Sequence, residues 1–268
     1  MAGVLLALEG KVALVSGGSR GIGAETVRLF TQAGARVAFS YHRAQAQAAA
    51  LAAECGGPNG DRCVAIKQEL SSPEDGHSLV AAAVRVFGRL DVLVANHGIW
   101  PSADAPIAQM AEQQWRRTLG VNLDSVFGLV QAAVAQMDSQ EKPPADAIDA
   151  TGHIVLISST AGQRGEAYHA DYAVTKGALI SLTKSLSSEL APRGVRVNCV
   201  APGWVKTEMS SAALDDAVLG PRIAAGIPLG RAASAREIAG PVLFLCTPLA
   251  GFISGEVLNV NGGAVLVG

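Results

Sequence analysis

The stretch KVALVSGGSRGIGAETVRLF, residues 11–30, decides the fold. Its apolar start, residues 11–16, predicts a buried β-strand, and residues 21–34 predict a helix that ends near Gly34. The helix residues expected to face the core are Ile22, Val27, Leu29 and Phe30. A glycine-rich turn lies between strand and helix, so the stretch predicts the first half of a β–α–β unit.

The alternation of short apolar runs and longer helical segments continues along the chain. Further strands are predicted at residues 35–41, 62–68, 91–95, 153–158, 195–200 and 257–260. Helices are predicted at residues 45–55, 73–88 (after an N-cap at Ser72), 107–136 and 171–191. Near-continuous apolar strands that alternate with helices are typical of a parallel sheet covered on both faces. We therefore expect an α/β chain: a single-domain Rossmann fold over residues 1–268, with a doubly wound, seven-stranded parallel sheet.

Two segments interrupt this alternation. Residues 138–151 contain paired prolines and several acidic residues, which predict an exposed loop. Residues 208–231 follow the sixth strand, and they predict either a mobile helical segment over a substrate cleft or a plain surface loop.

Composition excludes several function classes. The formal net charge of −2 offers no strong field for nucleic acid or an anionic membrane. The five histidines lack metal-ligand spacing, and no two of the four cysteines are spaced C-x-x-C, so we expect reduced thiols and no metal. No apolar run approaches the roughly 20 residues of a membrane span. We predict a cytoplasmic protein.

The glycine-rich turn predicts a phosphate site. Its spacing is G-x-x-x-G-x-G, and a backbone without Cβ atoms before a helix N-terminus can approach and bind a phosphate. The residues expected to contact it are Gly17, Ser19, Arg20, Gly21, Ile22 and Gly23. A turn without a ligand is the alternative. The spacing resembles that of the short-chain dehydrogenase/reductase family, in which Ser16 occupies a place usually held by Thr.

The end of the second strand distinguishes NAD from NADP. An acid there would bind the adenine ribose and repel a 2′-phosphate, but residues 38–43 (AFSYHR) contain none. Ser40 and Arg43 in this segment, with Arg20 in the turn, suit a phosphate, and the resemblance implies the same. We expect NADP(H) rather than NAD(H); two solvated surface arginines are the alternative.

Tyr172 and Lys176 form the motif Y-x-x-x-K, which places both on one helix face. An ammonium beside a phenol lowers the phenol pKa and produces a proton donor. Ser159 ends the fifth strand, where a substrate is expected, and its spacing to Tyr172 matches the family. The resemblance implies catalytic roles for Asn122, Ser159, Tyr172 and Lys176, with Asn122 completing a proton relay. An internal polar contact is the alternative for Asn122.

The resemblance implies further cofactor contacts. They are Glu69 and Leu70 after the third strand, Asn96 and Gly98 after the fourth, Tyr172 and Lys176, and Pro202, Gly203, Val205 and Thr207 after the sixth. Glu69 replaces the family's usual Asp, and a surface acid is its alternative role. Ala95 and His97 depart from the family's N-N-A-G. His97 is expected either to face the active site or to pack locally.

The family implies an oxidoreductase that transfers hydride between a nicotinamide and a ketone or secondary alcohol. Among its members, the chain resembles β-ketoacyl-acyl carrier protein reductases and glucose dehydrogenase-like enzymes. Arg193 is available to an acidic carrier, but Asp146 and Asp149 precede the fifth strand, and Ala150 stands where a basic residue would help. A small-molecule carbonyl or alcohol substrate is therefore favoured, with 3-oxoacyl-acyl carrier protein reduction as the alternative.

A non-catalytic NADP-binding regulator is the alternative from a different class. Such relatives typically lose Ser, Tyr or Lys, and this chain keeps all three. The predicted substrate pocket comprises Trp100, Tyr168, Trp204 and the segment 208–231. The resemblance also implies a homotetramer.

Overall fold

The computed structural model describes residues 6–57, 60–142 and 150–267. The strands of the main sheet are β1 (Val12–Val15), β2 (Arg36–Tyr41), β3 (Cys63–Lys67), β4 (Val92–Ala95), β5 (Gly152–Ile157), β6 (Val195–Pro202) and β9 (Val257–Val260). Within the described ranges they form a seven-stranded sheet in the order β3-β2-β1-β4-β5-β6-β9, and every pairing is parallel. The predicted seven-stranded parallel sheet is confirmed.

Helices connect these strands. They are α1 (Gly21–Gln32), α2 (Gln45–Cys55), α3 (Pro73–Phe87), α4 (Glu112–Leu119), α5 (Ser125–Ser139), α6 (Thr160–Arg164), α7 (Ala170–Leu190), α8 (Ser211–Leu214), α9 (Leu219–Ala225) and α10 (Ala235–Leu245). Local sequence explains several of their ends. Ser72 and Asp75 form a capping box before α3, with Pro73 in its first turn, and Gly34 adopts a φ of +95° after α1.

Alternation along the strands builds two cores, one on each face of the sheet. On β1, Ala13 and Val15 pack on the face covered by α1, α2 and α10, whereas Val12 and Leu14 pack on the face covered by α3, α5 and α7. Both cores are apolar and fully buried at their centres. The strands are therefore fixed from both sides, and their carboxyl ends hold the following loops rigidly.

The helical prediction for residues 107–136 misses a change of helix type. A π-helical turn, Gly120–Asp124, joins α4 to α5. The prediction of an exposed loop over residues 138–151 is wrong at both ends: α5 continues to Ser139, and Ala150 and Thr151 are buried. Part of that segment, residues 143–149, lies outside the described residues.

The segment 208–231 contains α8 and α9, so its helical alternative is correct. Next to it, β7 (Val205–Lys206) and β8 (Ala233–Ser234) form a small parallel pair that the sequence pattern did not indicate. This pairing joins the two ends of the segment close to the sheet.

One helical stretch, Glu112–Ser139, is long and apolar enough to cross a membrane by length and composition alone. Within it, Leu129, Ala133 and Met137 are fully buried in the core against the sheet. Helices buried in a protein core meet the same criteria of length and composition. The packing of this helix against the sheet therefore explains its apolar composition.

Candidate active site

A cleft of about 660 Å³ lies where the carboxyl ends of the strands meet the following loops. This is where ligands bind in doubly wound sheets. Most of the predicted site residues line it: Gly17, Ser19, Arg20, Gly21, Ile22, Ser40, Arg43, Glu69, Leu70, Asn96, Gly98, Trp100, Ser159, Tyr172, Lys176, Pro202, Gly203, Trp204, Val205 and Thr207. Gly23, Asn122 and Tyr168 are not part of its lining.

The glycine turn forms the floor of one end of the cleft. Gly17 has a φ of +64°, and a Cβ there would lie 2.9 Å from the His97 Cα. A Cβ on Gly23 would lie 2.3 Å from the Gly17 carbonyl oxygen. Helix α1 begins at Gly21 without a side-chain cap, so its first N–H groups remain available for an anion. The turn has the geometry of a pyrophosphate cradle.

The end of β2 suits a 2′-phosphate. Arg20 and Arg43 are both exposed and line the cleft, and residues 38–43 contain no acid. The predicted contact at Ser40 has another function in this structure: the buried Ser40 Oγ accepts the Gly17 N–H at 3.0 Å and supports the turn. Arg20 pairs with Glu208, which lies at the start of the segment 208–231.

Glu69, predicted to lie near the adenine ring, contacts a neighbouring side chain. Its Oε2 lies 3.6 Å from His42 Nε2, and both side chains are largely exposed. The surface-acid alternative and the cofactor contact are both compatible with this position.

Ser159, Tyr172 and Lys176 converge at the other end of the cleft. Ser159 caps α6 and accepts the Ala161 N–H at 3.1 Å, and it lines the cleft together with Tyr172. Lys176 Nζ lies 5.7 Å from the centre of the Tyr172 ring and donates to the Ile157 carbonyl oxygen at 2.8 Å. Ser158 donates to the Lys176 carbonyl oxygen at 2.7 Å, so it is a structural neighbour.

The pKa expected for Tyr172 is corrected by its surroundings. Burial raises the pKa of Tyr172 to about 12, although the hydrogen bond with Ser159 lowers it in part. Burial also lowers the pKa of Lys176 to about 8. The sequence indicated a lowered phenol pKa, but burial is the largest influence here and acts in the opposite direction. A phenol with a high pKa stays protonated at neutral pH, as a proton donor must.

Asn122 lies in the π-helical turn and is fully buried. Its Oδ1 accepts the Ile99 N–H at 2.8 Å, and its Nδ2 donates to the Ile99 carbonyl oxygen at 2.9 Å and to Thr175 Oγ1 at 3.3 Å. The side chain thus joins the loop after β4 to α7. Gly98 lies beside it, since a Cβ there would be 3.2 Å from Asn122 Oδ1 and 3.5 Å from Lys176 Nζ.

His97 lines the cleft, and both of its ring nitrogens lie within hydrogen-bond distance of serine hydroxyls. Its Nδ1 lies 2.7 Å from Ser16 Oγ, and its Nε2 lies 2.7 Å from Ser125 Oγ. Because Ser125 donates to the Val121 carbonyl oxygen, Nε2 donates to Ser125 and Nδ1 accepts from Ser16. Burial and the nearby Lys176 lower the pKa of His97 to about 3. The imidazole is therefore neutral and links β1 to α5, and because it also lines the cleft, both alternatives stay compatible with its position.

An aromatic wall bounds the substrate side of the cleft. The Trp100 ring stacks on His169 at 4.8 Å and meets Trp204 edge to face at 6.3 Å. Glu166 accepts the Trp100 Nε1–H at 3.2 Å and lines the same wall. Sequence reasoning missed Glu166, and its only signal was its position between Ser159 and Tyr172.

Tyr168, predicted in the pocket, is 55 % exposed and adopts a φ of +66°. It lies outside the cleft lining, so the structure does not bring it together with the two tryptophans. The segment 208–231 reaches the cleft through Glu208, Met209 and Ser210.

Comparisons with known proteins agree with this architecture. A family described as enoyl-(acyl carrier protein) reductase matches residues 17–265. A 3-oxoacyl-[acyl-carrier-protein] reductase of Vibrio cholerae is 37 % identical over 97 % of this chain and 99 % of its own length.

Solved structures agree as well. A glucose/ribitol-type short-chain dehydrogenase/reductase from Brucella melitensis superposes with a TM-score of 0.85 at 35 % identity, covering 97 % of this chain and 98 % of its own. A blue fluorescent protein from a metagenomic library, in complex with NADPH, superposes with a TM-score of 0.86 at 35 % identity, covering 97 % and 99 %. The chain belongs to the short-chain dehydrogenase/reductase family of oxidoreductases.

Proposed function

We propose that the chain reduces the 3-oxo group of an acyl thioester to a secondary alcohol, using NADPH. One observation carries the proposal: Tyr172, with Lys176 next to its ring, shares a cleft with Ser159 and with the glycine turn. The relatives named 3-oxoacyl-[acyl-carrier-protein] reductases match nearly the full length of the chain and supply the substrate class.

The cofactor is NADP(H). The glycine turn and the N-terminus of α1 would hold its pyrophosphate, and Arg20 and Arg43 would hold its 2′-phosphate. Pro202, Gly203, Val205 and Thr207 also line the cleft, and they would hold the nicotinamide. When bound, NADPH supplies the hydride that adds to the carbonyl carbon.

The protein's own side chains handle the carbonyl oxygen. Ser159 Oγ–H donates a hydrogen bond to that oxygen and orients it. As negative charge develops there, the Tyr172 hydroxyl transfers its proton to the same oxygen. The Lys176 ammonium stabilises the resulting phenolate across the Tyr172 ring edge until a proton returns from solvent. The product is the 3-hydroxyacyl thioester.

A free small-molecule ketone is the second candidate substrate. One observation favours it: Arg193 Nε donates to Asp138 Oδ1 at 2.9 Å, so this arginine is already paired. Ala150 is buried and cannot meet a partner, while Asp146 and Asp149 lie outside the described residues.

Two other arginines favour the thioester substrate. Arg117 and Arg164 are exposed, line the cleft and suit the phosphate of a pantetheine arm.

The test follows NADPH consumption with the same 3-oxoacyl group on acyl carrier protein, on N-acetylcysteamine and as a free ethyl ester. We expect the highest kcat/KM with a thioester. Equal kcat/KM on all three would favour a general ketone reductase. Tyr172→Phe should abolish turnover and keep NADPH binding, measured by NADPH fluorescence. Normal turnover in that variant would overturn the assignment of Tyr172 and, with it, the proposal.

We also propose a homotetramer. Phe127 on α5 and Val174 on α7 each expose about half of an apolar side chain, at 49 %. These are the helices through which relatives pair, by resemblance. Light scattering on the purified chain measures the assembly directly, and a monomer at micromolar concentration would contradict it.

A further inference from the structure

The wall of the cleft next to Tyr172 carries a carboxylate that the catalytic steps do not use. Glu166 lies in the connection between α6 and α7 and is half-buried. Its Oε1 accepts the Trp100 Nε1–H at 3.2 Å, which fixes the side chain against the aromatic wall. The Trp100 and Trp204 rings meet at 82°, so the carboxylate stands beside a largely apolar corner.

The charged neighbours of Glu166 do not neutralise it with an ion pair within the described residues. Burial is the largest influence and raises its pKa, and Asp104 acts in the same direction. The pKa of Glu166 is lowered by His169, by the hydrogen bond from Trp100 and by Arg164. Arg164 is exposed at the cleft, where solvent screens it.

The field of Glu166 reaches the reacting group. Its charge acts on Tyr172 and disfavours the phenolate. Glu166 also lines the cleft together with Ser159 and Tyr172, so a substrate whose carbonyl oxygen meets these two hydroxyls lies in the same cleft as the carboxylate.

We propose that Glu166 determines substrate specificity by excluding ketones that carry a carboxylate close to the carbonyl and by admitting their uncharged esters and thioesters. The inference rests on the proposed function and narrows it: the substrate is an esterified or thioesterified oxo acid and not the free acid. Discrimination comes from like-charge repulsion against the wrong substrate, in a site partly removed from water.

The test uses matched pairs that differ in charge near the carbonyl: pyruvate, acetoacetate and levulinate, each against its ethyl ester. In the wild type we expect kcat/KM for each ester to exceed that for its acid by about 10- to 100-fold, with the smallest ratio for levulinate, whose carboxylate lies farthest from the ketone. Glu166→Gln should reduce the ratio for acetoacetate by at least about tenfold, chiefly by raising kcat/KM on the acid. Gln can still accept the Trp100 hydrogen bond, and thermal unfolding followed by circular dichroism serves as the folding control.

Two further variants separate charge from shape. Glu166→Asp keeps the charge and should keep the preference for esters. Asp104→Asn removes a nearby exposed charge that does not line the cleft, and it should leave the ratio within about twofold of the wild type. A wild type that reduces acids and esters equally, or a Gln variant with an unchanged ratio, would overturn the role of Glu166 while leaving the proposed reduction intact. A wild type that reduces neither the esters nor the thioesters would overturn both.

Discussion

Replacing Asn122 with Ala tests whether the site depends on the amide bridge between the loop after β4 and α7. The substitution leaves both the N–H and the carbonyl oxygen of Ile99 without their partners, which now lie at 2.8 and 2.9 Å. Each partly buried group left unpaired costs about 1–1.5 kcal/mol, at the lower end of the usual range. Thr175 loses a weaker bond at 3.3 Å but keeps its bond to the Tyr172 carbonyl oxygen at 2.8 Å.

The expected loss in the free energy of unfolding is therefore about 2–3 kcal/mol. In a chain of this length that lowers Tm by roughly 4–6 °C. Urea unfolding with an unchanged m-value measures the loss. We expect kcat to fall by about 100-fold as well, because Gly98 and the loop after it would no longer be fixed beside Lys176.

Asn198 provides a matched control. It is equally buried, and it bridges backbone groups in the same manner: Nδ2 donates to the Ile253 carbonyl oxygen at 3.0 Å, and Oδ1 accepts the Glu256 N–H at 3.1 Å. Asn198 does not line the cleft. Asn198→Ala should lose similar stability and keep its turnover at temperatures where it is folded. If Asn122→Ala loses less than about 0.5 kcal/mol, the hydrogen-bond argument is refuted.

The remaining predictions concern pH, space and cofactor choice. The kcat/KM for ketone reduction should decline as pH rises through about 8. Burial lowers the pKa of Lys176 to about 8, so the ammonium is lost above that pH. A flat pH–rate profile across that range would contradict this prediction. Gly98→Ala should reduce turnover, since the new Cβ would lie only 3.2 Å from Asn122 Oδ1 and would displace that amide. Gly240→Ala in α10 meets no described atom within 4 Å, so it should keep turnover and raise stability by about 0.5–1 kcal/mol in thermal unfolding. Replacing Arg20 and Arg43 together with Ala should weaken NADPH binding by about 10- to 100-fold and leave NADH binding nearly unchanged in fluorescence titrations; equal losses would show that neither arginine recognises the phosphate.

Most of the sheet was predictable because its strands are buried on both faces and so are apolar throughout. The run VALV of β1 and the run HIVLI within β5 have no other stable environment in water. The glycine turn was predictable for a related reason, since close backbone approach at Gly17 and Gly23 excludes every other residue. Where steric contact or burial restricts which residue a position can hold, the sequence pattern is sufficient to predict the local structure.

Features that depend on distant partners were not predictable. Helix α10 contains Pro241, which ordinarily indicates a break, and it persists because Ile238 and Val242 are buried in the core with α1. The small β7–β8 pair joins residues far apart in the chain. The phenol pKa also depends on burial, which raises it and which the local spacing of the Y-x-x-x-K motif cannot reveal.

Two departures from the family pattern, Ser16 and His97, contact each other in the folded protein. The imidazole occupies the side of the turn where the family has a single methyl group, and Ser16 Oγ donates to its Nδ1 at 2.7 Å. Ser16 also accepts the Asn96 N–H at 3.0 Å, so the same hydroxyl holds the loop that carries Gly98. Without the Ser16 hydroxyl, Nδ1 of His97 would lose its donor, at a cost of about 1–3 kcal/mol. The neutral imidazole thus fixes the junction of β1, β4 and α5 without placing a second positive charge beside the ammonium on which Tyr172 depends.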